Sequence, residues 1–244
     1  MVGEEQSGAA EHALLRPVRE GNAFEETVER LLQFVRLGVV GTGDRLPAER
    51  ELAVRLRVSR VTLREAIRAL TDSGYVESRR GRYGGTFVAQ SLPAAPGADL
   101  EALVQRMGKG LEDTLTMRQV LEAGAAEAAA ARTLTREQRR HLSDQLAETS
   151  TASLAEYRRR DSRLHLAISE ITESPSLIAG VADARSRVNE LLDAIPLLPA
   201  NIEHSNEQHR MIVDRILAGD PHGAREAMAE HLAGTAALLR GFLA

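Results

Sequence analysis

The 244-residue sequence has no cysteine and no tryptophan, and its aromatic side chains are four Phe and three Tyr. Without cysteine there is no disulfide, no thiolate zinc site and no cysteine nucleophile. No apolar run approaches the ~18 residues of a membrane span. The opening "MVGEEQSGAAEHALL" is acidic and polar and lacks the apolar stretch of a secretory signal. These absences lead to the expectation of a soluble, cytoplasmic protein. Lysine is nearly missing too: Lys109 stands alone, so arginine carries the positive charge. There is also no HExxH, no nucleophile elbow and no Gly-rich phosphate loop, which removes the commonest sequence signatures of an enzyme.

The charge that is present is unevenly placed. The chain carries a net −4, yet between Asp44 and Arg82 ten arginines stand against six acids, a local surplus of +4 that leaves −8 on the remainder. A basic module on an acidic body points to a polyanionic partner for one part only. The length allows two modest domains, each with its own core.

Hydrophobic periodicity divides the chain. Residues 1–17 are polar and rich in Ala and Gly, and read as a flexible arm. In "NAFEETVERLLQFVRLG", Asn22 can cap a helix whose stripe is Phe24, Val28, Leu31, Leu32 and Val35. Pro47 suits the first turn of a short second helix, "PAERELAVRL". Ser59 can cap a third, "RVTLREAIRALTDSG", which turns Leu63, Ala66, Ile67 and Leu70 inward and ends at Gly74. "YVESRRGRYGGTFVA" reads as a β-hairpin. The predicted domain spans 18–90, and the Pro-containing stretch 91–99 reads as a linker. From 100 to 244 every segment has helical period: near 100–109, 115–132, 135–150, 153–172, 175–194, 202–218 and 221–241. Short connections predict an antiparallel bundle of about seven helices. The fold class is therefore mostly α, with one small hairpin.

Two short helices, a tight turn and a hairpin form the pattern of a winged helix-turn-helix, whose second helix enters a major groove of DNA. Arg60, Arg64 and Arg68 lie on one face of the third helix, away from Leu63, Ile67 and Leu70. Arginine bonds guanine bidentately or clamps phosphate. Arg50 can reach the same backbone. Arg80 and Arg82 sit at the hairpin tip, where Gly81 allows close approach. For any single arginine, a solvated helix face is an equal reading; the set, followed by a hairpin of the same charge, favours DNA.

The stretch "LPAERELAVRLRVSRVTLREAIRALTDSGYVESRRGRYGGTFV" resembles the DNA-binding domain of the GntR family of bacterial transcription regulators. That resemblance implies double-stranded operator contact from Arg50, Arg60, Thr62, Arg64, Arg80, Gly81 and Arg82, with Arg68 peripheral. One departure is Arg57, where the family usually has a turn glycine.

In the helical region, "YRRRDSRLHLAISEIT" puts Asp161 and His165 on the stripe of Leu154, Leu164, Ile168 and Ile171, one turn apart. His209 edges the stripe of Ile212, Val213 and Ile216. His231 lies with Ala224, Met228 and Leu238. One carboxylate and three imidazoles suit Zn²⁺, Ni²⁺ or Mn²⁺. A hydrogen-bonded polar core is the alternative from spacing alone. His12, His141, His204 and His222 read as surface or loop residues. "DSRLHLAISEIT" with "EQHRMIVDRILAGDPHGAREAMAEHL" resembles the FCD effector-binding domain of the FadR subgroup. That resemblance implies a metal held by Asp161, His165, His209 and His231. It also implies a carboxylate-binding arginine, which falls on Arg118 in "MRQVLEAGAAEAAAAR". The alternative for Arg118 is a surface salt bridge with Glu122, four residues on.

The leading expectation is a ligand-responsive transcription regulator, most often a repressor in this family. It would be a homodimer on a pseudo-palindromic operator, with a small carboxylate effector. A metal-dependent hydrolase or lyase fused to a DNA-binding domain is the rival, though no general base stands near the proposed ligands. A third reading makes the metal a purely structural staple.

Overall fold

The computed structural model describes residue 15, residues 17–18, 20–36, 39–81, 84–93 and 110–243. The expected arm and linker fall largely outside the described residues. Arg82 and the expected helix at 100–109 fall wholly outside them. The chain forms two compact units, one of Met1–Asp99 with Gly234–Ala244, the other of Leu100–Ala233.

The first unit opens with a 3₁₀ turn, Glu20–Asn22, that leads into α1 (Ala23–Arg36). Helices α2 (Glu49–Leu56) and α3 (Arg60–Asp72) follow, then strands β1 (Val76–Arg79) and β2 (Gly85–Val88). Ser59 caps α3 as its sequence requires: its Oγ accepts from the Thr62 N–H at 3.0 Å. Gly74, at φ +78, ends the helix, and the Tyr75 N–H returns to the Leu70 carbonyl at 2.9 Å. Pro47 is not in the first turn of α2; Ala48 holds the N-cap position. The strands pair antiparallel, with Val76 opposite Val88 and Arg79 opposite Gly85. Backbone bonds from Leu46 to Thr86 (2.8 Å) and from Val88 to Asp44 (2.9 Å) tie the hairpin to the chain ahead of α2. Leu31, Leu32, Leu52, Leu56, Leu63 and Leu70 form the centre of this core.

Gly234–Ala244 packs with the first unit. The final helix, α9 (Pro221–Leu243), ends there with Leu239 and Phe242 buried, and Phe242 meets Tyr75 edge to face at 6.2 Å. Gly241 lets that helix approach α1: a Cβ there would lie 3.0 Å from the Glu29 Cα. This explains why α1 buries Glu25, Glu26 and Glu29 as well as its apolar stripe.

The second unit contains α4 (Gly110–Ala130), α5 (Arg136–Ser150), α6 (Leu154–Glu170), α7 (Pro175–Asp193), α8 (Pro199–Ala218) and the first part of α9. Helix α4 packs against α6, α7 and α8, and its Ala123, Ala126, Ala129 and Ala130 permit close approach. Around them lie Leu142, Leu164, Ile168, Ile212, Ile216 and Met228. One end differs from expectation: α8 starts at Pro199 rather than 202. Proline at the first helical position loses nothing, because that N–H has no intrahelical partner. Thr135 and Gln138 close a capping box on α5.

Arg57 follows α2 in the left-handed conformation, at φ 54 and ψ 43. The turn keeps its geometry without the glycine. That conformation costs an L-residue roughly 1–2 kcal/mol, of which glycine's extra chain entropy returns about 0.5–1. Arg57→Gly is therefore expected to stabilise the protein by about 0.5–1 kcal/mol in urea denaturation. A loss of stability would contradict the strain.

Candidate functional site

Three helices of the second unit bring four side chains to one point. Helix α6 supplies Asp161 and His165, α8 supplies His209, and α9 supplies His231; all four are buried. One ligand atom from each lies within 4.8 Å of the others. The His209 Nε2 is 3.3 Å from the His165 Nε2, 3.2 Å from the His231 Nε2 and 3.2 Å from the Asp161 Oδ1. The His165 Nε2 is 3.7 Å from the same Oδ1. Neighbouring ligands on an ion bonded at ~2.1 Å stand about 3.0–3.4 Å apart in octahedral or tetrahedral geometry; the three contacts of the His209 Nε2 fall in that range, and the His165–Asp161 pair is wider.

The donor chemistry fits as well. The His231 Nδ1 meets the Gln208 Oε1 at 3.1 Å, and the His165 Nδ1 meets the Glu122 Oε2. Both partners accept, so these contacts favour the tautomer with the proton on each Nδ1 and a lone pair on each Nε2 toward the centre. His209 has at most one Nε2 proton to set against two lone pairs and a carboxylate oxygen. A cation satisfies this donor set; the residues alone do not. Burial pushes His231 well below the usual histidine range, and His209 and His165 push it further. Burial also lowers His165, against the pull of Glu122. Burial alone would raise Asp161, but the Arg185 guanidinium outweighs it and holds the carboxyl well below its ordinary range. Neutral imidazoles and an ionised carboxylate are the states in which these groups bind metal.

A charged layer surrounds the cluster. The Arg118 Nε donates to the Glu122 Oε1 at 3.0 Å, with both side chains all but inaccessible. The pair expected as a possible surface salt bridge does form, but it is buried. The Glu122 carboxyl falls to about 2, because Arg118 and His165 overcome the opposing effect of burial. On α7, Arg185 is also buried. Its Nη2 contacts the Asp161 Oδ2 and donates to the Ser162 Oγ at 3.1 Å. Sequence reasoning missed Arg185 and the part played by Glu122. The signal was present for Arg185, which interrupts the stripe Val181, Ala184, Val188, Leu191 as Asp161 interrupts its own. His141 and His222 are exposed beside Glu170 and Glu226, 3.7 and 3.2 Å away, and His204 is half-buried.

The first unit carries its own functional face. Arg50 on α2 and Arg60, Arg64 and Arg68 on α3 are exposed, while Leu63, Ile67 and Leu70 face the core. Arg64 donates to the Glu49 Oε2 at 2.9 Å and remains largely solvent-facing. The Thr62 hydroxyl lies 2.8 Å from that of Ser59, within the cap. Arg80 and Gly81 form the exposed hairpin tip. Gly81 has φ +105, and a Cβ there would meet nothing within 4 Å. Behind the tip, the Arg79 guanidinium lies 4.3 Å over the Phe87 ring. An exposed helix with its arginines outward and a glycine-tipped hairpin has the form that a winged helix-turn-helix offers to DNA.

Comparison with known proteins agrees with both units. Residues 24–88 match the family described as bacterial regulatory proteins, gntR family, and residues 113–234 match the FCD domain. A protein of Escherichia coli (strain K12) named as a regulator of the L-lactate dehydrogenase operon is 32% identical over 220 residues, covering 85% of this chain and 83% of that one. The Exu regulon transcriptional regulator of the same organism is 28% identical over 229 residues, covering 88% and 84%. A solved GntR structure from Streptococcus agalactiae is 25% identical, covers 87% of this chain and 98% of that one, and has a TM-score of 0.48. The chain belongs to the GntR family of bacterial transcription regulators, pairing a winged helix-turn-helix with an FCD domain, and is a regulator rather than an enzyme.

Proposed function

We propose that this regulator is a cytoplasmic, homodimeric repressor whose FCD bundle holds a divalent metal and answers to a small carboxylate effector. The observation that carries this reading is the gathering of the His165 and His231 Nε2 atoms and the Asp161 Oδ1 around the His209 Nε2 in a buried centre. Asp161, His165, His209 and His231 would hold Zn²⁺, Ni²⁺ or Mn²⁺. When bound, such an ion supplies a Lewis-acidic point for an oxygen ligand. Arg118 supplies the complementary charge. Its Nη1 is buried without a hydrogen-bond partner, so a carboxylate can take it without breaking the bond from Nε to Glu122.

The DNA contacts assigned here are Arg50, Arg60, Thr62, Arg64, Arg80, Gly81 and Arg82, in a domain over 18–90, with 100–244 as the effector-binding part. Two copies place two recognition helices in successive major grooves, which requires a pseudo-palindrome. Regulation then follows from linkage. An effector that binds one arrangement of the dimer more tightly shifts the population toward it, and operator affinity changes by the same factor. Arg64 exchanges its Glu49 partner for a base edge or a phosphate on docking.

Arg64→Ala is expected to weaken operator binding by about 1–3 kcal/mol in a salt-controlled titration; unchanged affinity would remove α3 from the groove. Zn²⁺ at about a hundred times its Kd is expected to stabilise the protein by ~2.7 kcal/mol, reversibly by chelator. Melting that is indifferent to both metal and chelator would contradict the site.

A further inference from the structure

We infer that Glu122 is a positioning residue for the metal centre: it locks His165 in the orientation and tautomer that turn its Nε2 toward the ion. This rests on the metal reading above and adds a residue that the metal-ligand set does not contain. Glu122 sits on α4, a helix that supplies none of the four ligands.

Glu122 uses both of its oxygens. Its Oε1 accepts from the Arg118 Nε at 3.0 Å, and its Oε2 faces the His165 Nδ1. Both Glu122 and His165 are almost fully buried, so no bulk water competes for either group. An ionised carboxylate only accepts, so it demands Nδ1–H and leaves Nε2 as a bare lone pair. The imidazole itself cannot swing away: its ring is tilted against His231, centroids 5.2 Å apart, and stands edge to face with His209 at 5.4 Å. The carboxylate is held in turn by Arg118, a cation on the same helix one turn earlier. A partner on the far side of a ligand imidazole fixes its direction and raises its basicity.

The three histidines are served unequally. His165 has a charged partner and His231 has the neutral Gln208 Oε1. The His209 Nδ1 has no hydrogen-bond partner. Among the described residues Glu122 is therefore the one carboxylate behind a ligand imidazole in this cluster, and its loss acts on the ligand it serves. The same residue joins the metal to Arg118: a carboxylate arriving at the Arg118 Nη1 is connected to His165 through Glu122.

The test is Zn²⁺ affinity by competition with a chromophoric chelator, on the full-length chain and its Glu122→Gln variant. Glutamine keeps the size of the side chain and removes its charge. We expect Zn²⁺ to bind about 10–100-fold more weakly in Glu122→Gln, with Glu122→Asp intermediate. A residue that merely neutralises Arg118 would lower the melting temperature and leave Zn²⁺ affinity unchanged, and that result overturns the proposal. Should Glu122→Gln fail to fold, the ¹⁵N resonances of His165 in the wild-type protein decide. Nδ1–H at neutral pH supports the assignment, and Nε2–H overturns it. A wild-type chain that binds no Zn²⁺ fails at the earlier step and overturns the metal reading itself.

Discussion

Two hydrogen-bond acceptors set the character of the bundle. The Glu122 carboxylate and the Gln208 amide oxygen stand behind His165 and His231 and require a proton on each Nδ1. Both Nε2 lone pairs then point at His209 and Asp161, with too few protons among them to satisfy one another. A buried group of this kind is costly unless something positive completes it. The helices around it are arranged accordingly. Alanines on α4 let that helix come close enough for Glu122 to reach His165, and Arg185 on α7 closes the outer side of Asp161.

Electrostatics keeps these groups in the protonation states that a metal requires. Two arginines and two carboxylates, all buried, balance one another around the three imidazoles, and burial lowers His165 and His231 below the usual histidine range. A divalent ion adds two positive charges to a region already neutral. An anion arriving with or after the metal restores the balance, which agrees with a carboxylate as the effector class. In the first unit the electrostatic task is the reverse. The arginines of α3 and Arg80 are exposed, and Arg64 pairs with Glu49; in the proposed complex a polyanion replaces their water.

Much of this was legible in the sequence because polar residues on apolar stripes are expensive. Asp161, His165, His209 and His231 each interrupt a run of Leu, Ile, Val, Ala or Met at helical spacing, and all four meet in space. Arg185 interrupts its stripe in the same way, but it was passed over as an ordinary charge on an Arg-rich chain. Glu122 was hidden by its spacing from Arg118, since an i, i+4 pair on a surface and one in a core look identical in sequence. The hairpin followed from turn residues and short apolar alternation. What had no local signature was the second covered face of α1. It depends on Gly234 and Gly241, roughly two hundred residues further along the chain. Helix ends were read less well than helices, as Pro199 shows, because a residue that ends one helix can equally start the next.

The most direct measurement is the metal content, by mass spectrometry, of protein purified without a histidine tag, set beside an Asp161→Ala/His209→Ala double variant. The account predicts about one divalent ion per chain in the wild type and none in the variant. No ion in either, even after dialysis against Zn²⁺, Ni²⁺ and Mn²⁺, would contradict it. The cluster would then be a hydrogen-bonded polar core, and the effector would bind elsewhere.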